Sequence, residues 1–119
     1  KHTLLLQPQT RAEVLRAFLA ENGYAIRREA LAEDRGVLYP VMEAGGGEMS
    51  LTLGQLYGGA ALLRDPLGDR YIIQKIIRLQ TAVAGINRSG GGQEKGDALR
   101  EIITALLSER EEWRRANCR

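Results

Sequence analysis

Cysteine and histidine are almost missing from this chain: among 119 residues there is one of each, Cys118 and His2. A lone cysteine excludes an internal disulfide, and one cysteine with one histidine leaves no metal cluster of the usual spacing. Aromatic residues are scarce too, 5% of the total, so no stacking platform for bases interleaves the basic residues. Charge of one sign is equally thin. The net charge of +2 implies no strong polyanion field from composition alone, and residues 1–48 hold six Lys/Arg against seven Asp/Glu, which assigns the positive excess to the second half. No apolar run approaches the roughly 18 residues of a membrane span, and there is no signal-peptide pattern and no initiating Met. These absences predict a soluble, cytoplasmic chain, possible trimming included, with no metal and no membrane partner.

What the chain does have begins at once. Thr3 to Gln9 reads Thr-Leu-Leu-Leu-Gln-Pro-Gln, an apolar strand broken by a proline and followed directly by a helix. A short apolar run bounded by a breaker suits a strand covered on both faces of a sheet, and such a strand needs neighbours. Only two other strand candidates follow, Tyr24 to Leu31 and Val37 to Ala44. The chain therefore reads as the C-terminal piece of a larger α/β protein.

Between the first two strands, Thr10 is placed to cap a helix with Val14, Leu15, Phe18 and Leu19 on one face, and Asn22-Gly23 ends it. Tyr24, Ile26 and Leu31 are the packed positions of the second strand, residues 32–36 are the turn, and Pro40 argues against a regular central strand in the third. Gly45-Gly46-Gly47 marks the expected boundary, with one unit over residues 1–48 and a helical unit over 49–119. An irregular segment, Leu51 to Leu63, leads to Asp65-Pro66, the expected start of a long helix. Ile72, Ile76, Leu79, Val83 and Ile86 then form a heptad seam, widened by Ile73 and Ile77. After a loop at 85–96, Leu99, Ile102, Ile103, Leu106, Leu107 and Trp113 form a second stripe, which predicts an antiparallel, coiled-coil-like hairpin.

Three segments invite chemistry. The glycine-rich run Ser89 to Gly96 lacks a Gly-Lys-Ser/Thr ending and follows no strand, so it reads as a hairpin loop rather than a phosphate cradle. Lys75 and Arg78 share a helix face, with Arg64, Arg70 and Arg88 nearby. They read either as ordinary solvated charges, diluted by Asp65 and Asp69, or as contacts to RNA phosphates that carry no base information. Gln7, Pro8 and Gln9 lie just past a strand's carboxyl end, where doubly wound folds bind ligands. Their amides suit a nucleobase edge or a cofactor, and equally could only turn the chain.

The residues resemble a known family, the bacterial tRNA (adenine(22)-N1)-methyltransferases, class I enzymes that use S-adenosylmethionine. The likeness runs through Leu4-Leu5-Leu6-Gln7-Pro8, Arg11, Leu15-Arg16, Phe18-Leu19, Asn22-Gly23-Tyr24, Glu29, Leu31, Glu33, Gly36, Tyr39, Val41, Glu43-Ala44-Gly45 and Leu56-Tyr57-Gly58. Gly59 stands where the family tends to have proline, and Gln9 where asparagine is common. The resemblance implies the C-terminal part of a class I methyltransferase Rossmann-like α/β sheet, three strands and one helix, followed by the antiparallel helical hairpin. It implies that the third strand here lies between the other two and antiparallel to both. It also implies that the family's cofactor motifs lie upstream of Lys1, so S-adenosylmethionine would be held by the full-length parent and this chain alone would be inactive.

By the same resemblance the parent would expose adenine from folded tRNA and hold its N1 in line with the cofactor's methyl group. Gln7, Pro8 and Gln9 would border the substrate, and Lys75 and Arg78 would meet the tRNA backbone. The competing expectations are a non-catalytic helical interaction module and another class I methyltransferase with a non-RNA substrate. A homodimer of this chain through the strand Thr3 to Gln7 is also expected, because the flanking strand that the resemblance implies is absent and leaves an open apolar edge, whereas Arg27, Arg28 and Glu29 protect the opposite one.

Overall fold

The computed structural model describes residues 3–8, 11–59, 62, 65–90 and 92–117. Strands β1 (Leu4–Leu6), β2 (Tyr24–Asp34) and β3 (Val37–Gly46) form one sheet, with α1 (Ala12–Glu21) between β1 and β2 in the chain. Helices α2 (Leu53–Gly58), α3 (Gly68–Ser89) and α4 (Gln93–Asn117) follow. The strand order is β1-β3-β2, and β3 is antiparallel to both neighbours. The last strand of the chain thus occupies the centre, as the family resemblance implies.

The β2–β3 hairpin is tighter than the residues alone suggest. Asp34 pairs with Val37, leaving Arg35 and Gly36 as a two-residue turn with φ of 54° and 80°. Two successive left-handed residues match the right-handed twist of the strands, so β2 runs three residues past its expected end. Pro40 is tolerated inside β3 because the β1 ladder stops at Leu6↔Met42. Beyond that pair β3 has only β2 beside it, which makes Pro40 an edge position in practice.

One face of the sheet is covered. Met42 and Ala44 of β3 pack with Ala12 and Leu19 of α1, and Leu4, Leu6, Leu15, Tyr24, Ile26 and Met49 close around them. The opposite face carries Leu5, 75% exposed, and Val37, 52% exposed. Among the described residues β1 is therefore covered on one face, not two. The buried stripe of α1 also differs from the expected one: Val14 and Phe18 are exposed, and Ala12, Arg16 and Leu19 are buried. The residue preceding α1 is Arg11, and the expected cap, Thr10, lies outside the described residues.

The segment after Gly47 is more regular than expected. Thr52 and Gln55 form a reciprocal capping box that starts α2. The next helix begins at Gly68 rather than at Pro66. Asp65 instead shapes the preceding turn, its Oδ1 accepting from Leu67 N at 2.9 Å and its Oδ2 from Leu31 N at 2.9 Å. Helix α3 continues through Gly85 to Ser89, so the loop to α4 is much shorter than residues 85–96.

Ile72, Ile76, Ile102 and Leu106 are the buried seam between α3 and α4, joined by Leu53 and Tyr57 from α2. Ile77 and Leu107, expected in the stripes, are about half exposed. Trp113 is held by its indole N–H, which donates to Asp65 O at 2.8 Å. A third cluster, Leu38, Leu62 and Tyr71 with Leu31 and Leu67, joins the sheet to α3 across the expected boundary at residue 48.

Candidate functional site

At that junction the side chains are polar. Arg16, on the buried side of α1, is 0% exposed, and so is the side chain of Glu29 on β2. The guanidinium donates from Nε to Glu29 Oε1 at 3.3 Å and from Nη2 to Oε2 at 2.9 Å, a bidentate pair. Its Nη1 donates to Leu56 O at 2.7 Å, and Nη2 also reaches Tyr71 Oη at 3.3 Å. One buried cation therefore fastens α1, β2, α2 and α3 together, with its charge neutralised. Burial pushes the Tyr71 hydroxyl up, so it stays a neutral hydrogen-bonding group.

One turn along α3 the pattern reverses. Lys75 places its ammonium 5.2 Å from the centroid of the Tyr71 ring, on which Arg16 also lies at 6.0 Å. Burial holds Lys75 below the usual lysine value; Glu13 pulls the other way, and Arg16 and Arg78 add to the depression. A small pit of about 20 Å³, room for one water molecule, opens beside it. Its lining is Pro8, Arg11, Ala12, Val37, Leu38, Pro40, Tyr71, Gln74, Lys75 and Arg78. The pit lies past the carboxyl end of β1, the side of an α/β sheet on which ligands gather.

The fold thus brings together three of the residues singled out from sequence: Lys75 and Arg78, one turn apart on α3, and Pro8, which lies 67 positions before Lys75 in the chain. Gln7 is exposed at the end of β1 and is not in the pit lining. Gln9 lies outside the described residues. Lys75 is not a plainly solvated charge, because its stem is half-buried on Tyr71. Glu29, expected to guard the outer edge of β2, points inward to Arg16 and protects nothing there.

Sequence reasoning missed Arg16, Glu29 and Tyr71 as a connected set, and Arg11 as a residue of the pit. The available signal for Arg16 was its spacing, four residues after Ala12 and three before Leu19, on the stripe that is buried. Neighbouring ties hold α3, which carries the pit residues Gln74, Lys75 and Arg78, in place. Gln74 Nε2 donates to Gly36 O at 3.3 Å, and Arg70 pairs with Glu33 at 2.8 Å, pinning α3 against the β2–β3 turn.

Gly59, with φ of 97°, adopts a backbone that proline cannot reach, and a Cβ there would run into Leu62. Among the described residues, no group of three or more His, Cys, Asp or Glu could hold a metal ion. Nor is any helix among them long and apolar enough to cross a membrane. The pit does not fit S-adenosylmethionine. It is far too small for a nucleoside, its charged lining is cationic like the sulfonium, and it offers no carboxylate to accept ribose hydroxyls.

Comparison with known proteins adds an independent result. A family model described as tRNA (adenine(22)-N(1))-methyltransferase matches residues 1–109. No curated protein matches the chain. Among solved structures, a protein of the NADB-Rossmann superfamily from Streptococcus agalactiae is 26% identical with a TM-score of 0.76, over 91% of this chain and 47% of that one. The B. subtilis M1A22 tRNA methyltransferase TrmK is 22% identical with a TM-score of 0.62, over 98% and 51%. M. capricolum TrmK, solved with the cofactor product S-adenosyl-homocysteine, is 16% identical with a TM-score of 0.73, over 94% and 50%. The chain spans about half the length of these structures.

Proposed function

The chain belongs to the tRNA (adenine(22)-N(1))-methyltransferase family, and from that premise we propose that it forms the C-terminal half of a cytoplasmic, S-adenosylmethionine-dependent enzyme that methylates N1 of adenine 22 in tRNA. In this reading residues 1–48 complete the Rossmann-like sheet and residues 49–119 form a helical unit laid against it. The observation that carries the proposal is the cationic pit at the carboxyl end of β1, where Pro8 meets Lys75 and Arg78. The cofactor would be held by residues outside this chain. What this half contributes is substrate grip: Gln7, Pro8 and Gln9 border the target nucleotide, and Lys75 and Arg78 meet the phosphate backbone without reading bases.

The test is methyl transfer by the full-length protein to unmodified tRNA, with the product mapped by mass spectrometry. N1-methyladenine at position 22 is the expected result. Cofactor binding with transfer only to non-RNA substrates would favour another class I methyltransferase, and no cofactor binding would favour a helical interaction module.

The same geometry supports self-association of this chain on its own. Strand β1 pairs with β3 along one edge, and Leu5 stands exposed on a short apolar strand without charges. Two copies pairing about a two-fold axis through Thr3 to Gln7 would give one continuous sheet. Light scattering of the 119-residue chain is expected to report a dimer that Leu5→Lys converts to monomer; a monomer at high concentration without the substitution would refute it.

A further inference from the structure

The three cations of the pit reach it from two places in the chain, and two of them are held there against a local preference. Arg11 precedes α1 with φ of 55° and ψ of 45°, the left-handed region that a side-chain-bearing residue resists. Its side chain makes no capping hydrogen bond, so the helix start does not account for an arginine at this position. Lys75 carries its charge half-buried over Tyr71. Arg78 follows one turn later on the same helix. Among the described residues, none of the three has a carboxylate within ion-pair distance, whereas Arg16, Arg28, Arg70, Arg100, Arg110 and Arg115 all do. Glu13 is the carboxylate within electrostatic reach of Lys75, and it leaves most of the local charge uncompensated.

Cations gathered by folding around one pit with no carboxylate paired to them, one of the three partly desolvated, are arranged for an anion. We propose that Arg11, Lys75 and Arg78 form a single cradle for one phosphodiester group of the RNA substrate, seated beside the target nucleotide at the carboxyl end of β1. The proposal rests on the RNA-methyltransferase reading and makes it more specific: one phosphate, three cations, one of them not singled out from sequence. The size of the pit agrees, since about 20 Å³ admits an oxygen atom and excludes a base. Backbone strain held at a residue facing a site is a known mark of function, here directed at orientation of the Arg11 guanidinium.

The experiment is tRNA binding by the full-length protein across a salt series, with Arg11→Ala, Lys75→Ala and Arg78→Ala singly and together. A contact to one phosphate contributes about 0.9 to the slope of log affinity against log salt. A shared cradle predicts that each single variant weakens binding by about tenfold or more, the cost of a charge-assisted contact. It further predicts that the triple variant loses about one unit of slope in total. A loss of two or three units would mean independent phosphate contacts and would overturn the cradle while sparing the RNA reading. Affinity and slope unchanged in the triple variant, while the wild type binds and methylates tRNA, would also overturn the cradle. Failure of the wild type to bind tRNA at all would overturn the RNA reading and the cradle with it.

Arg11→Gly supplies a readout that a structural role would not produce. It is expected to raise Tm by relieving the left-handed backbone while weakening tRNA binding. A lower Tm with RNA binding intact would assign Arg11 to the fold alone.

Discussion

Arg16 and Arg11 sit at the two ends of the first turns of one helix, and the fold treats their charges in opposite ways. Arg16 is sealed from solvent and neutralised by Glu29, with Leu56 O and Tyr71 Oη each accepting one more of its N–H groups. Arg11 faces a pit shared with Lys75 and Arg78 and has no carboxylate partner among the described residues. Tyr71 stands between the two groups, bonded to Arg16 at its hydroxyl and covered by Lys75 on its ring. The contrast separates a charge neutralised within the fold from charges with no carboxylate partner among the described residues, which the cradle proposal assigns to an RNA phosphate.

The largest effect is expected from breaking the satisfied side. Glu29→Ala leaves Arg16 buried without its counter-charge, which costs about 3–5 kcal/mol. Chemical denaturation of the full-length protein measures it. A loss below about 1 kcal/mol would mean that Tyr71 and Leu56 suffice to hold the guanidinium, and the distinction between the two groups would weaken.

The pit should behave in the opposite sense. Lys75→Met keeps the apolar stem on Tyr71 and removes the charge, so stability should stay within about 0.5 kcal/mol while tRNA affinity falls. The pH dependence follows from the same burial. Lys75 is held below 10.5, so under both its folded and its unfolded value it is charged in either state and burial of that charge opposes folding. As pH rises through the lowered value toward 10.5, that opposition fades and stability gains. Across the same window tRNA affinity should decline as the ammonium loses its proton, and Lys75→Arg should abolish both trends. A decline in affinity identical in the arginine variant would trace to the RNA instead.

The smallest effect belongs to the exposed pair Arg70–Glu33, which ties α3 to β2 outside the pit lining. The hydrogen bond from Arg70 and its charge hold the Glu33 carboxyl below its usual value of 4.5. Its contribution is therefore present above pH 4.5 and is lost as pH falls through the lowered value, and salt screens it. An NMR titration of Glu33 should show the value returning to normal in Arg70→Ala, with tRNA affinity hardly changed. A large loss of affinity in that variant would extend the RNA contact onto a charge already paired.

Much of the framework was legible in the sequence, because apolar periodicity reports burial directly. Leu4 and Leu6, the Ile72–Ile76 seam and its partners Ile102 and Leu106 all pack where the pattern puts them. The central position and antiparallel direction of β3 came from resemblance, since pairing order leaves no mark on the residues of a strand. Misreadings cluster where a polar residue takes a core position. Hydrophobic patterning placed Phe18 inside and gave no reason to bury Arg16, whose partner Glu29 lies 13 residues away on a strand. The T-x-x-Q capping box at Thr52 and Gln55 was readable, and the surrounding glycines hid it. In the site, Pro8, Lys75 and Arg78 could each be singled out, and their convergence could not. Arg11 was invisible as a site residue because its placement depends on one left-handed backbone angle.

Whether the pit at the carboxyl end of β1 receives substrate phosphate is decided by a structure of the full-length protein bound to unmodified tRNA. The predicted result is a phosphate oxygen about 2.7–2.9 Å from Lys75 Nζ and from the Arg11 and Arg78 guanidinium groups, with the Arg16–Glu29 pair unchanged beneath it. A complex in which the RNA backbone passes elsewhere, with the pit filled by protein from outside this chain, would contradict it.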